Sequence, residues 1–188
     1  VSLQDVLDEA IERAGKVIEE KSPDMVAEEK SRVSTIVGIG AVKFAELSQN
    51  RMTDYVFNWD KMLALQGDTA PYLQNSYVRV RSIFRKLDGE TLDWSIPITL
   101  TEPAEIHLSR MLVRYAEVVP MVLDDCRPNI LAAYLFDLAR AFHSFYEACP
   151  VLKSEGVTRH SRLALCELTA RVLQHGLGLL GIQVPDRM

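Results

Sequence analysis

Apolar residues recur at spacings of three and four through most of the chain, which is the period of an amphipathic helix. The first such run follows Ser2, and Ser2 and Asp5 have the spacing of a capping box at a helix start. Later runs extend over residues 102–119, 128–148 and 158–180. Because strands do not alternate with these helices, the pattern predicts an all-α protein built as a helical bundle.

The N-terminal third contains less regular signals. Residues 22–24 combine Ser, Pro and Asp, the order expected where a helix starts. Residues 33–47 are apolar and rich in small side chains, which predicts a buried helix where Gly38 and Gly40 admit a close neighbour. β-Branched and aromatic residues cluster at 54–58. The predicted fold therefore includes at most one short strand or hairpin near 54–58.

The helix with the clearest two-sided pattern is predicted to start at Thr69 or Ala70 and to end at Asp88-Gly89. Its core stripe comprises Leu73, Tyr77, Val80, Phe84 and Leu87. Its opposite stripe comprises Tyr72, Asn75, Arg79, Ser82 and Lys86. An irregular loop is expected to follow over residues 89–100.

Composition narrows the class of protein. Of the 188 residues, 48% are hydrophobic and 25% are charged, as in a soluble globular domain. No stretch reaches the roughly 18 apolar residues of a membrane span, so we expect no membrane partner. The 3 cysteines form no C-x-x-C pair, which favours reduced thiols in a cytoplasmic protein. A net charge of −5 means that any nucleic-acid role must use a local patch.

Motifs of an independent active site are absent from the sequence. H-E-x-x-H, G-x-S-x-G and the Walker A loop do not occur. Residues 37–43 contain G-x-G but lack the third glycine of a dinucleotide site. The 4 histidines are dispersed and lack metal-ligand spacing with the cysteines. We therefore expect no catalytic residue, no metal site and no cofactor on this chain.

The most suggestive chemistry lies between Tyr72 and Lys86. This segment holds four cations and no acid, namely Arg79, Arg81, Arg85 and Lys86. Tyr72 and Arg79 are seven positions apart and share one helix face, where a ring and a guanidinium can stack an unpaired base and hold its phosphate. An amphipathic helix with a charged outer face explains the same residues, and spacing alone favours that plainer interpretation.

Longer blocks of sequence add a second line of argument. Four segments, at 37–51, 54–63, 67–74 and 79–83, are followed by Asp137-Leu138-Ala139-Arg140, by Phe145-Tyr146 and by the ending 181–188. In this order, and over essentially the whole chain, they resemble arginyl-tRNA synthetases. Asp137 to Arg140 matches the short motif for which the family's DALR anticodon-binding domain is named.

The resemblance implies a class I aminoacyl-tRNA synthetase. Such an arginine–tRNA ligase makes arginyl-adenylate from arginine and ATP with magnesium, and then transfers arginine to its tRNA. The family's His-Ile-Gly-His-like motif and Rossmann domain are not found in this sequence, which begins at Val1 and not Met. We therefore expect the C-terminal part of the enzyme, inactive alone, with the catalytic domain as its partner in cis, arginine tRNA as its ligand and a monomeric state.

Two domains follow from the same resemblance. Residues 1–67 are expected to form a helical segment that joins the catalytic half to the anticodon-binding half. Residues 68–188 are expected to form the DALR-type anticodon-binding domain.

The resemblance also implies the residues that contact the anticodon loop. They are Tyr72, Asn75, Arg79, Arg85, Tyr146 and Met188. The tyrosines can stack splayed bases, the arginines can pair with phosphates or base edges, and the methionine offers a soft apolar contact. Some relatives carry an aromatic residue at the positions of Asn75 and Pro150, so Asn75 could replace a stack with a hydrogen bond.

Several alternatives stay open at this point. Tyr146 could be a core ring with a wet hydroxyl, and His143 is expected at the surface or rim. Arg140 could order the bundle by pairing with Asp137 or a neighbouring carboxylate, an interpretation that its residue type favours over contact with tRNA. For the whole chain, the alternatives are a helical protein-interaction module or the corresponding domain of cysteinyl-tRNA synthetase. Residues 37–43 and the ending Arg187-Met188 favour the arginine enzyme.

Overall fold

A computed structural model describes residues 2–87 and 91–188, which fold into helices joined by irregular segments. In these ranges the helices are α1 (Leu3–Lys21), α2 (Ala27–Leu47), α3 (Trp59–Met62), α4 (Ala70–Arg85), α5 (Pro103–Val113), α6 (Tyr115–Asp125), α7 (Pro128–Ala148) and α8 (Gly156–Leu179). The described residues contain no strand, and the predicted all-α fold is confirmed. None of the described helices could cross a membrane by its length and apolar character.

Helices start as predicted where a capping residue coincides with the apolar period. The Ser2 hydroxyl accepts from the Asp5 N–H at 3.1 Å, and the Asp5 carboxylate accepts from the Ser2 N–H at 2.8 Å. Thr69 caps α4 by accepting from the Tyr72 N–H at 3.2 Å. α7 spans the predicted residues 128–148. The predicted stop of α4 at Asp88-Gly89 lies outside the described residues.

The predicted helix start at residues 22–24 is wrong. The Ser22 N–H donates to the Ile18 carbonyl at 2.8 Å, so Ser22 ends α1 instead of starting α2. The next helix begins at Ala27. The single helix expected over 102–119 is also two helices, α5 and α6, with Arg114 between them.

The segment 54–58 is not a strand. It is irregular, and no described segment pairs with it. Val56 is 91% exposed, and the Tyr55 hydroxyl donates to the Glu46 carboxylate on α2. A strand needs a neighbour for its main-chain N–H and C=O groups, so residues of high β propensity without a partner stay irregular.

Two packed units meet at α2. The larger core combines α4, α5, α7 and α8, and it includes Phe44 of α2. The smaller core lies between α1 and α2, which approach closely at Gly38, where a Cβ atom would lie 2.7 Å from the Ala10 carbonyl carbon. The predicted domain boundary at residue 67 falls in the irregular segment between α3 and α4. α4 belongs to the larger unit, where it packs against α7 and α8, and it also contacts α2. The side of α4 that carries Tyr72, Asn75 and Arg79 remains partly exposed.

Candidate nucleic-acid interface

Three rings from α4 and α7 meet at the exposed side of α4. The Tyr72 ring lies 5.3 Å from the His143 ring, at an interplanar angle of 28°. On α7, Phe136 also approaches Tyr72, with a centroid distance of 5.3 Å and an angle of 49°. Capping by Thr69 fixes the start of α4, and this places Tyr72 in the first turn of that helix.

Arg79 joins this group two turns further along α4. Its Nη1 donates to His143 Nδ1 at 2.7 Å, and its Cζ lies 5.9 Å from the centre of the Tyr146 ring. We name Tyr72, Arg79, Phe136, His143 and Tyr146 the aromatic face. Because an arginine side chain only donates, His143 must accept at Nδ1 and carry its proton at Nε2.

Charge and burial set the protonation of these groups. Burial lowers the pKa of His143, the nearby Arg79 charge lowers it further, and Glu147 opposes the shift. His143 is therefore neutral at neutral pH, as its bond from Arg79 requires. Burial raises the pKa of Tyr72, against the opposing charges of Arg140 and Arg79, so its hydroxyl stays protonated.

The structure excludes the core position considered for Tyr146 and the ion pair considered for Arg140. Tyr146 is 38% exposed, so its interpretation as a core ring is wrong. Arg140 forms no ion pair with any described residue, so the interpretation that it pairs with Asp137 or a neighbouring carboxylate is also wrong. Its guanidinium instead lies 5.7 Å from the centre of the Phe136 ring. The positive charge of Arg140 therefore borders the aromatic face.

Asn75 and Met188 lie together at the other edge of α4. Both are half-buried, and they line a cavity of about 180 Å³ with Val17, Ile18, Lys21 and Leu65. Asn75 is one helical turn from Arg79 on α4, but none of the residues that line this cavity belongs to the aromatic face. Met188 packs against both the larger core and the α1–α2 core. The described contacts do not join Met188 to Tyr146.

The other cations of α4 point elsewhere. Arg81 pairs with Glu167 of α8 at 2.7 Å. Arg85 donates from Nη1 to the main-chain carbonyl of Asp186 at 2.9 Å. The four cations therefore do not form one continuous stripe, and only Arg79 belongs to the aromatic face.

Phe136 and His143, which belong to the aromatic face, and Arg140, which borders it, are not among the site residues that the sequence implied. A signal for them exists, since their spacings of four and three place all three on one face of α7. The spacing does not predict, however, that this face of α7 packs against the side of α4 that carries Tyr72. Within the described ranges no group of three His, Cys, Asp or Glu side chains is placed to hold a metal ion.

Two family models match the chain. The model described as "DALR anticodon binding domain" matches residues 73–188. The model described as "tRNA synthetases class I (R), catalytic domain" matches residues 1–59.

Proteins named arginine–tRNA ligase are similar over the whole chain. The protein from Laribacter hongkongensis is 54% identical over 188 residues, and the one from Chromobacterium violaceum is 50% identical. These residues are all of this chain and 32% of each relative, so the chain spans about a third of the relatives' length.

Solved structures give the same picture. The arginyl-tRNA synthetase of Thermus thermophilus superposes with a TM-score of 0.91 at 34% identity, over all of this chain and 32% of that one. The arginyl-tRNA synthetase from Plasmodium falciparum superposes with a TM-score of 0.88 at 28% identity, over all of this chain and 34% of that one.

Proposed function

The chain belongs to the DALR anticodon-binding domain family, and from this premise we propose that it binds the anticodon loop of an arginine tRNA. Its similarity to arginine–tRNA ligases supports arginine over the cysteine alternative. The observation that carries the proposal is the aromatic face, where Arg79 lies between the rings of His143 and Tyr146. An exposed ring can stack on an unpaired RNA base, and a guanidinium beside it can bind the phosphate of that nucleotide.

The residues of the proposed site have distinct tasks. The exposed ring of Tyr146 offers a stacking surface for a splayed base, and Tyr72 offers its edge and hydroxyl. Arg79 gives one N–H to His143 and keeps its other donors for a phosphate or a base edge. Asn75 supplies an amide and Met188 an apolar contact for a neighbouring base.

The activity of the whole protein is a further part of the proposal. We propose an arginine–tRNA ligase that makes arginyl-adenylate from arginine, ATP and magnesium in the cytoplasm and transfers arginine to its tRNA. The match of residues 1–59 to a catalytic-domain family supports the view that residues 1–67 connect to the catalytic part. The proposal assigns tRNA binding to this chain, acting as a monomer, and the chemical steps to the catalytic domain.

Arg79 provides the test of anticodon-loop binding. Arg79→Ala should weaken the binding of an arginine-tRNA anticodon stem-loop by about 1–3 kcal/mol, because it removes a charge-assisted contact. Fluorescence titration of the labelled stem-loop measures this change. A stem-loop with an unrelated anticodon should bind the wild-type chain more weakly.

Arg171→Ala is a matched control for that measurement. Arg171 is also a helical arginine beside a ring, 5.2 Å from Trp94, but it is outside the aromatic face. Its substitution should leave the affinity within about twofold of wild type. Equal affinities of wild type and Arg79→Ala would refute the assignment.

A further inference from the structure

The segment 181–188, here called the tail, is tied down at its start by α2 and α4. Lys43 Nζ donates to the Gly181 carbonyl at 2.6 Å. The buried Gln74 donates from Nε2 to the Gln183 carbonyl at 2.9 Å. Both bonds reach main-chain oxygens, so they fix the path of the tail independently of its side chains.

Two arginines hold the far part of the tail at a single residue, Asp186. Arg85 Nη1 donates to the Asp186 carbonyl at 2.9 Å. Arg32 Nη2 lies 3.2 Å from the Asp186 carboxylate. Asp186 is two residues before Met188, which lines the cavity beside Asn75. The contacts at Asp186 therefore constrain the main chain two residues before the Met188 side chain.

The direction of Arg85 separates it from the aromatic face. At about 100° per residue, the six residues from Arg79 to Arg85 turn the helix by about 240° beyond a full turn, which leaves the two side chains about 120° apart. They are also about 9 Å apart along the axis. Arg85 therefore does not extend the surface that Arg79 forms with Tyr146, and its defined contact is with the tail.

We propose that Arg85 is a positioning residue that acts on RNA binding through the tail, by holding Met188 beside Asn75, and that it is not itself a phosphate contact. This rests on the proposed binding of an anticodon loop. It replaces the direct contact that the sequence resemblance implies for Arg85.

Salt dependence distinguishes the two roles. Each phosphate contact that is lost lowers the slope of log affinity against log salt by about 0.7 for single-stranded nucleic acid. Arg85→Ala should weaken binding of the anticodon stem-loop by about 3- to 10-fold and leave this slope at the wild-type value. Arg79→Ala, measured in parallel, should lower the slope.

A double substitution supplies a second criterion. If Arg85 acts through Met188, then the double variant Arg85→Ala/Met188→Ala should bind as Met188→Ala does, because the shared contact is already lost. Additive losses would show that Arg85 has a contact of its own with RNA and would overturn the proposal. A lowered salt slope for Arg85→Ala would overturn it as well.

A measurement without RNA checks the structural step directly. The ¹³C-methyl resonance of Met188, assigned by its absence in Met188→Ala, should shift in Arg85→Ala while the helical circular dichroism stays unchanged. An unmoved Met188 resonance would refute positioning. If the wild-type chain and Arg79→Ala bind the stem-loop equally, the proposed function itself fails, and the methyl shift still decides whether Arg85 positions Met188.

Discussion

Among single residues, His143 gives a prediction about pH. Burial lowers its pKa in the folded chain, and the charge of Arg79 adds to this effect. The unfolded chain, with a pKa near 6.5, therefore takes up the proton first as the pH falls. The stability associated with neutral His143 is present above that value and is lost as the pH falls through the lower pKa of the folded state.

His143→Gln should remove part of this pH dependence. We expect urea unfolding at about pH 7.5 and about pH 5.5 to show a smaller loss of unfolding free energy in the variant than in the wild type. His107→Gln, at an exposed position of α5, should keep the wild-type difference. An unchanged difference in His143→Gln would show that another group carries this part of the pH dependence.

For single residues of the site, the sequence predicts only which side chains of one helix share a face. Tyr72 and Arg79 share a face by spacing, and the same rule already separates Arg85 from them. The bond between Arg79 and His143 depends instead on how α4 packs against α7, which no local pattern encodes. The position of Met188 depends on hydrogen bonds from Lys43 and Gln74 to main-chain carbonyls of the tail. Because any residue has such a carbonyl, the sequence of the tail does not predict these bonds.

At the scale of elements, the contact of α1 with α2 depends on one glycine. A Cβ at Gly38 would lie 2.7 Å from the carbonyl carbon and oxygen of Ala10, which are main-chain atoms that cannot move aside without shifting α1. Gly38→Ala should therefore destabilise the chain by about 1–3 kcal/mol, despite the better helix propensity of alanine. Thermal and urea unfolding measure the change.

Gly178 is a helical glycine that, unlike Gly38, has room for a side chain. It lies in α8 and is exposed, and apart from its chain neighbours and the adjacent backbone of α8 no atom lies within 4 Å of where its Cβ would be. Gly178→Ala should be neutral or stabilise by up to about 1 kcal/mol, since only propensity changes. If both variants changed the free energy of unfolding by the same amount, close packing against α1 would not explain why residue 38 is a glycine.

Elements were predictable where cap and period agree, as at Ser2 and Thr69. Prediction failed where a local signal had no tertiary partner or a stronger local competitor. Ser22 resembles a helix start, but its N–H continues the hydrogen bonding of α1. The segment 54–58 has strand-like residues, but the part of the chain that the structure describes offers it no strand to pair with.

At the scale of the whole molecule, one buried ion pair connects three parts of the bundle. Arg162 of α8 donates from Nε to Glu105 of α5 at 2.6 Å, and the two side chains are 10% and 2% exposed. Arg162 Nη1 also donates to the Pro150 carbonyl at 3.0 Å and to the Ser154 hydroxyl at 2.9 Å, beyond the end of α7. Glu105 further accepts from the Thr101 N–H at 2.8 Å.

Breaking this pair should destabilise the chain far more than breaking a surface pair. Glu105→Gln leaves the Arg162 charge buried without its partner, and we expect a loss of about 3–5 kcal/mol in unfolding free energy. Glu9→Gln, which breaks the exposed pair with Arg13, should lose only about 0.3–0.5 kcal/mol. Urea unfolding near neutral pH compares the two, and similar losses would contradict a central role for Glu105.

The same pair sets an acid limit on the fold. Burial acts to raise the pKa of Glu105, but hydrogen bonds from the Glu102 N–H, Arg162 and the Thr101 N–H together lower it. Its stabilising contribution is therefore present above the unfolded value of 4.5 and is lost as the pH falls through the folded pKa. Wild type should lose stability on acidification below about pH 4.5, and Glu105→Gln, already weakened, should lose less over that interval. If wild type and Glu105→Gln lost the same amount of stability over this interval, carboxylates other than Glu105 would set the acid limit.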